Sequence, residues 1–235
     1  MKIAVMQPYF LPYLGYWQLL AAVDAFVILD DVNYITRGFI NRNYLLLSGR
    51  PHLFSIPLEN PSQNRLIKET KLNFSGYARD KLLKTIAAAY KKAPEFEAVF
   101  PLLEKIILFP ETDLTGYIAH SITAIRRHVG LKTEIYVSSE LKQRPGLKAQ
   151  AKIIDLCANL GAETYINPPG GWDLYDPTEF RARGLALKFL RPGQVAYRQF
   201  NHEFVPNLSF LDVMMFNKLG PIENFLQEYA LDEKN

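Results

Sequence analysis

The stretch up to Asp31 constrains the fold more than any other part of the chain. Ile3 to Met6 form a short apolar run suited to a buried strand. Gln7-Pro8-Tyr9-Phe10-Leu11-Pro12-Tyr13 is a turn-forming segment, and Trp17 to Ala22 carry the apolar pattern of a helix. A second apolar run, Phe26-Val27-Ile28-Leu29, then ends on two carboxylates, Asp30 and Asp31. Strand, turn, helix and strand within about thirty residues is the size of a right-handed βαβ unit. In open α/β sheets ligands lie at the carboxyl ends of the strands. Both the Gln7 turn and the acidic pair fall there.

The periodicity further along predicts a layered α/β chain. Strands are expected at 44–47 and 53–56, joined by Ser48-Gly49-Arg50-Pro51 as a hairpin, and another at 67–72. Helical spacing over 77–92, 96–108 and 114–129, with Pro94, Pro101 and Pro110 as starts and stops, predicts a mainly helical segment at about 77–129. Strand character returns at 134–137, 164–166 and 186–190. Helices are expected at 148–160, closed by Gly161, at 180–183, and over 208–216 and 221–229. No repeat or flexible linker interrupts the pattern, so the expectation is a single α/β domain over residues 1–235 with a helical layer or insertion.

Composition narrows the function classes. With 235 residues, 49% apolar and 22% charged, the chain can bury a sizeable core. A net charge of +3, spread along the sequence, gives no basic block of the kind that marks a nucleic-acid partner. The one cysteine, Cys157, lies in an apolar helical run and allows neither an intrachain disulfide nor a cysteine zinc site. The apolar run after Lys2 is too short for a signal peptide or a membrane span, so a cytoplasmic protein without an integral membrane segment is expected.

Several residue groups carry chemistry. Asp30 and Asp31 at a strand end suit a proton acceptor, a hydroxyl ligand or a divalent metal such as Mg2+ bound with a nucleotide; as turn residues they equally suit a cap. Arg42 between Asn41 and Asn43 joins a guanidinium that grips phosphate or carboxylate to amides that read hydroxyls. Ser138 and Ser139 follow a strand and precede a helix, where serines cap or bind anions. The four histidines lack metal-ligand spacing. His202, within Tyr197-Arg198-Gln199-Phe200-Asn201-His202, is the candidate for acid–base work. Tyrosines at strand ends and turns, among them Tyr13, Tyr16 and Tyr197, suit a pocket that stacks sugars or bases. No nucleophile elbow, Walker sequence or dinucleotide glycine fingerprint is present.

The segments Gln7-Pro8-Tyr9-Phe10-Leu11-Pro12-Tyr13-Leu14-Gly15-Tyr16, Leu29-Asp30-Asp31-Val32-Asn33-Tyr34, Asn41-Arg42-Asn43, Ala89-Tyr90-Lys91-Lys92-Ala93-Pro94-Glu95-Phe96, Ser138-Ser139-Glu140-Leu141, Tyr197-Arg198-Gln199 and Phe204-Val205-Pro206-Asn207-Leu208-Ser209-Phe210-Leu211-Asp212 resemble the WbqC-like family, in order and over nearly the whole chain. The one local departure is Ile35-Thr36-Arg37-Gly38-Phe39, where a tryptophan-containing version is expected. The turn and helix over 10–24 are also similar to those of HIGH-signature nucleotidyltransferases, with Tyr13 and Tyr16 in place of the two histidines. That second resemblance implies a mostly parallel, nucleotidyltransferase-like (Rossmann-like) sheet.

The family resemblance implies a role in bacterial surface-polysaccharide, O-antigen-type, precursor synthesis. The expected activity is a transferase acting on a nucleotide-linked or amino sugar, with a non-catalytic binding or docking protein as the alternative. Gln7, Tyr13, Tyr16, Asn41, Arg42, Asn43, Ser138, Ser139, Tyr197 and Gln199 would bind substrate, and Asp30, Asp31 and His202 would carry the chemistry. The expected partners are a sugar-nucleotide or amino-sugar precursor and, on the docking alternative, another protein.

Overall fold

The computed structural model describes residues 1–201 and 203–234. Its centre is a six-stranded sheet in the order β10-β9-β8-β1-β2-β7, built from Lys2–Met6 (β1), Ala25–Ile28 (β2), Glu134–Val137 (β7), Thr164–Asn167 (β8), Ala186–Pro192 (β9) and Tyr229–Glu233 (β10). All neighbours are parallel except β9 and β10. The chain is thus α/β with a mostly parallel, Rossmann-like sheet. From β1 the strand order runs outward in both directions, so the reversal lies between β1 and β8, where such sheets bind ligands outside the carboxyl ends.

Alternation along the strands sorts the core into two layers, because successive side chains point to opposite faces. Ala4, Phe26 and Ile28 pack on one face with Trp17, Leu19 and Leu20 of helix α1 (Leu14–Ala21). Ile3, Val5, Ala25 and Val27 pack on the other with Ile153, Leu156 and Cys157 of α5 (Ala149–Asn159) and with Phe180 of α6 (Pro177–Arg181). Trp17 stacks on Phe210 at 5.2 Å between ring centroids, which joins α1 to α7 (Phe210–Phe216). Stacking of this kind adds about 0.5–1.5 kcal/mol beyond the area buried.

Between β2 and β7 the chain leaves the sheet. Arg42–Leu47 (β3) and Arg50–Ser55 (β4) pair as a hairpin. Its two-residue turn, Ser48-Gly49, has both φ angles positive (53° and 73°), the geometry whose twist matches the strands. The turn is tighter than the sequence suggests, so β4 takes in Arg50 and Pro51, which an exposed edge strand tolerates. Three helices follow, α2 (Gly76–Tyr90), α3 (Phe96–Ile107) and α4 (Leu114–His128), matching the expected helical segment.

Three expectations need correction. Residues 67–72 are a 3-10 turn, Ile67–Glu69, followed by the two-residue β6 (Lys71–Leu72), which pairs with β5 (Leu58–Glu59) rather than forming a longer strand. Pro101 lies inside α3 and does not end a helix. The last helix, α8 (Leu219–Gln227), stops before Tyr229, and the chain closes on β10, whose charged edge hid its strand character. Among the described residues no helix is long and apolar enough to cross a membrane.

Candidate functional site

The turn that leaves β1 is held from outside. Leu11 takes a positive φ of 46°, and its carbonyl accepts from Asn43 Nδ2 and Ser209 Oγ, both at 2.7 Å. Phe10 N–H donates to the Ile40 carbonyl and Phe210 N–H to that of Pro12. A non-glycine residue in this region costs about 1–3 kcal/mol and persists only where its surroundings over-determine it. The fixed turn delivers Tyr13 as the N-cap of α1. Tyr13 makes no side-chain cap hydrogen bond, but its carbonyl accepts from the Tyr16 N–H at 3.1 Å.

Beside that helix start lies a cavity of about 680 Å³. Its walls are Tyr13 with Leu14 and Gly15 of α1, residues 192–197 at and after the end of β9, and Phe204, Pro206, Asn207 and Leu208 with Val213. The volume suits a small organic ligand. Gln18, one turn beyond Leu14, is part of the wall and fully buried. Its Nε2 donates to the Phe225 and Glu228 carbonyls at 2.9 and 2.8 Å, while its Oε1 has no partner. Two donations to carbonyls fix the amide's orientation, leaving the oxygen as the unsatisfied end.

Tyr197 closes the opposite wall through a buried network. Its hydroxyl donates to Asp212 Oδ2 at 2.7 Å, and Gln199 Nε2 donates to the same oxygen at 2.6 Å. Tyr90 OH donates to Asp212 Oδ1 and itself accepts from Leu46 N–H. Burial pushes the Asp212 carboxyl above the usual range, and the three donors only partly offset that. Gln199 also exchanges both its amide groups with Val205, which pins the loop over the cavity.

The acidic pair forms a second cluster, between the ends of β2 and β7. Ser139 donates to Asp30 through its N–H at 3.0 Å and its hydroxyl at 2.7 Å. Ser138 Oγ lies 2.9 Å from Asp30 Oδ1 and 2.5 Å from Asp31 Oδ1, so its single proton serves one carboxylate at a time. Lys152, on the first turn of α5, pairs with Asp31 at 2.6 Å, and Gln143 Nε2 donates to the same oxygen. Burial opposes ionisation of Asp31, yet the hydrogen bonds from Lys152, Ser138 and Gln143 and the Lys152 charge together hold its carboxyl below the usual range. An ammonium occupies the place a cation would take. Among the described residues no group of three or more His, Cys, Asp or Glu side chains could hold a metal ion.

The remaining candidates are spread apart. Asn41 accepts from Tyr34 OH and donates to the Ile56 carbonyl; Arg42 donates to the Gly38 and Arg37 carbonyls; Asn43 is buried against Leu11. Their polar groups hold the 33–43 loop and the Leu11 turn. Tyr16 is buried, with its hydroxyl on the Gln7 carbonyl, and burial holds that hydroxyl well above the usual tyrosine range. His202 lies outside the described residues. Of the sequence candidates, Tyr13 and Tyr197 share the cavity, and Asp30, Asp31, Ser138 and Ser139 share the second cluster.

Residues missed in the sequence are Gln18, Lys152, Gly193 and Asp212. Gln18 and Asp212 are each a lone polar group in an apolar helical run, a readable signal for a buried polar role. Lys152 and Gly193 carry no such signal.

A Mycobacterium tuberculosis protein, the uncharacterized protein Rv1507c, is 26% identical over 229 residues, covering 96% of this chain and 97% of its own length. No solved structure matches the chain. The match to a known family runs over residues 7–223, from the Gln7 turn through both clusters to α8, and on that span the chain belongs to the WbqC-like protein family.

Proposed function

We propose that this protein is a transferase of surface-polysaccharide precursor synthesis, acting on a nucleotide-linked or amino sugar bound at the carboxyl edge of the sheet. The observation that carries this reading is the 680 Å³ cavity beside the start of α1, with Tyr13 and Tyr197 in its walls. Aromatic side chains suit the C–H faces of a sugar ring, and the positive end of a helix suits the phosphate to which it is linked. In this reading Asp31, 12% exposed, is the carboxylate that reaches solvent for proton transfer, whereas Asp30, 1% exposed, holds the strand ends.

One observation favours the alternative of a protein that binds such a precursor without turning it over. Both carboxylates of the acidic pair are already engaged by serine, lysine and glutamine donors. The two readings separate in one assay. The purified protein is incubated with uridine, thymidine and guanosine diphospho-sugars, with thermal stabilisation and nucleotide release followed together. A transferase stabilises with one class and consumes it once an acceptor is present, and Asp31→Asn lowers the rate without lowering stabilisation. Stabilisation without consumption, across acceptors, would leave the binding protein. No stabilisation by any class would remove both.

A further inference from the structure

Three aromatic rings meet outside the carboxyl end of β1. Phe39 lies 6.0 Å from Tyr9 and 6.3 Å from Tyr13 between ring centroids, inclined to them at 51° and 64°. It is 39% exposed, yet its backbone is held on both sides. The Gly38 carbonyl accepts from Arg42 Nε, and the Ile40 carbonyl from the Phe10 N–H. Tyr9 packs in turn on the buried Tyr16 at 5.5 Å. Tyr13 also belongs to the cavity wall, so the rings adjoin that cavity across a single side chain. Its ring lies against Gly15, where a Cβ would stand 2.9 Å from Tyr13 Cε2. An apolar ring held in place while it faces water is already ordered for a ligand that would cover it.

The phenol groups narrow the ligand class. Among the described residues the Tyr9 and Tyr13 hydroxyls make no hydrogen bond, and neither is sealed from solvent. Burial, and for Tyr9 also the neighbouring Tyr13 phenol, holds both above the usual tyrosine range. Each therefore keeps a proton to donate beside lone pairs that accept, which suits ligand hydroxyls that need both. The inclined rings form a corner, which fits a thick ring with apolar C–H faces. A flat base gains most from parallel, offset stacking, which this corner does not offer. We infer that Tyr9, Tyr13 and Phe39 form a binding subsite for a second pyranose ring, beside the cavity. The inference rests on the proposed function only in naming this ring the acceptor sugar. Arg42 serves it as a positioning residue, through the loop that carries Phe39.

The test titrates the parent protein, Phe39→Ala and Tyr9→Phe with the methyl glycosides of glucose, galactose and N-acetylglucosamine, and with 9-methyladenine as the flat-ring control. Dissociation constants are measured by saturation-transfer NMR. At least one glycoside is expected to bind, and more tightly than 9-methyladenine. Phe39→Ala is expected to weaken it about two- to tenfold through lost ring packing. Tyr9→Phe, which keeps the ring, is expected to weaken it about two- to tenfold through the lost hydroxyl. Both variants should melt at the parent temperature. Binding of no glycoside would overturn the inference, as would unchanged affinity in either variant, or tighter binding of 9-methyladenine. Glycoside binding weakened by both variants, without consumption of any sugar nucleotide, would remove the transferase reading and leave the subsite. Transfer to a glycoside whose KM is the same in Phe39→Ala would do the reverse.

Discussion

Replacing Lys152 by Met tests whether the acidic cluster ties the carboxyl ends of β2 and β7 together. The ammonium lies 2.6 Å from Asp31, and both side chains are only 12% exposed. At an effective dielectric of about 20, opposite charges at that separation attract by about 6 kcal/mol before desolvation. Taking the two ions out of water cancels much of this. Methionine keeps the buried stem and removes the charge, so Asp31 is left with Ser138 and Gln143 as donors. Its slight exposure lets water replace part of the loss. The expected destabilisation is about 2–3 kcal/mol at pH 7, below the 3–5 kcal/mol for breaking a fully buried pair. For a chain of this length that lowers Tm by roughly 5–10 °C.

The pH dependence follows from the depressed carboxyl. A folded-state pKa below the unfolded value of about 3.9 means that Asp31 stabilises the fold above that pH, and that this contribution fades as pH falls through the folded value. Urea unfolding of the parent, Lys152→Met, Asp31→Asn and the double variant at pH 7 and in the acid range checks both points. A coupling energy of at least about 1 kcal/mol at pH 7, shrinking in acid, is expected. Coupling within about 0.5 kcal/mol of zero at pH 7 would show that the pair ties nothing together.

Two further perturbations bear on the cavity walls. Tyr197→Phe removes one of three donors to the buried Asp212 carboxylate and should cost about 1.5–3 kcal/mol. Because the Asp212 carboxyl is raised, its protonated form is the one the fold favours, so the deficit should be larger at pH 8 than at pH 4 in urea titrations; equal deficits would refute the assignment. Gly193→Ala would drive a Cβ into the Glu228 carbonyl oxygen, the group that also accepts from Gln18 and Gly193. Backbone on both sides must move, at a cost of about 1–3 kcal/mol by thermal unfolding, and an unchanged Tm would contradict this contact.

Much of the fold is legible where local pattern and tertiary role agree. β1, α1 and β2 stand out because the apolar period switches within a few residues, and α2 to α4 because their apolar stripes face one core. β10 was hidden: Tyr229 continues the helical spacing of α8, while Asp232 and Glu233 give an edge strand the look of a tail. The acidic pair was visible as chemistry but not as geometry. Its serine partners come from the end of β7, and its lysine from α5, neither of which any local pattern links to β2. Arg42 shows the converse, since its neighbouring amides suggested a binding cluster, yet each of the three side chains bonds to a different stretch of loop.

The seam between β2 and β7 also governs how the chain reaches its native state. Lys2 and Asp24, which meet beside the paired β1 and β2, are separated by 22 positions, whereas Asp30 and Ser138 are separated by 108. Closing the longer loop costs about 1.4 kcal/mol more chain entropy, roughly a tenfold handicap. The first βαβ unit is therefore expected to assemble early, with β7 joining after the hairpin and the three intervening helices have compacted the path between them. Weakening α2 to α4 should slow folding more than it speeds unfolding, making that helical layer the element that sets how fast the carboxyl edge of the sheet is completed.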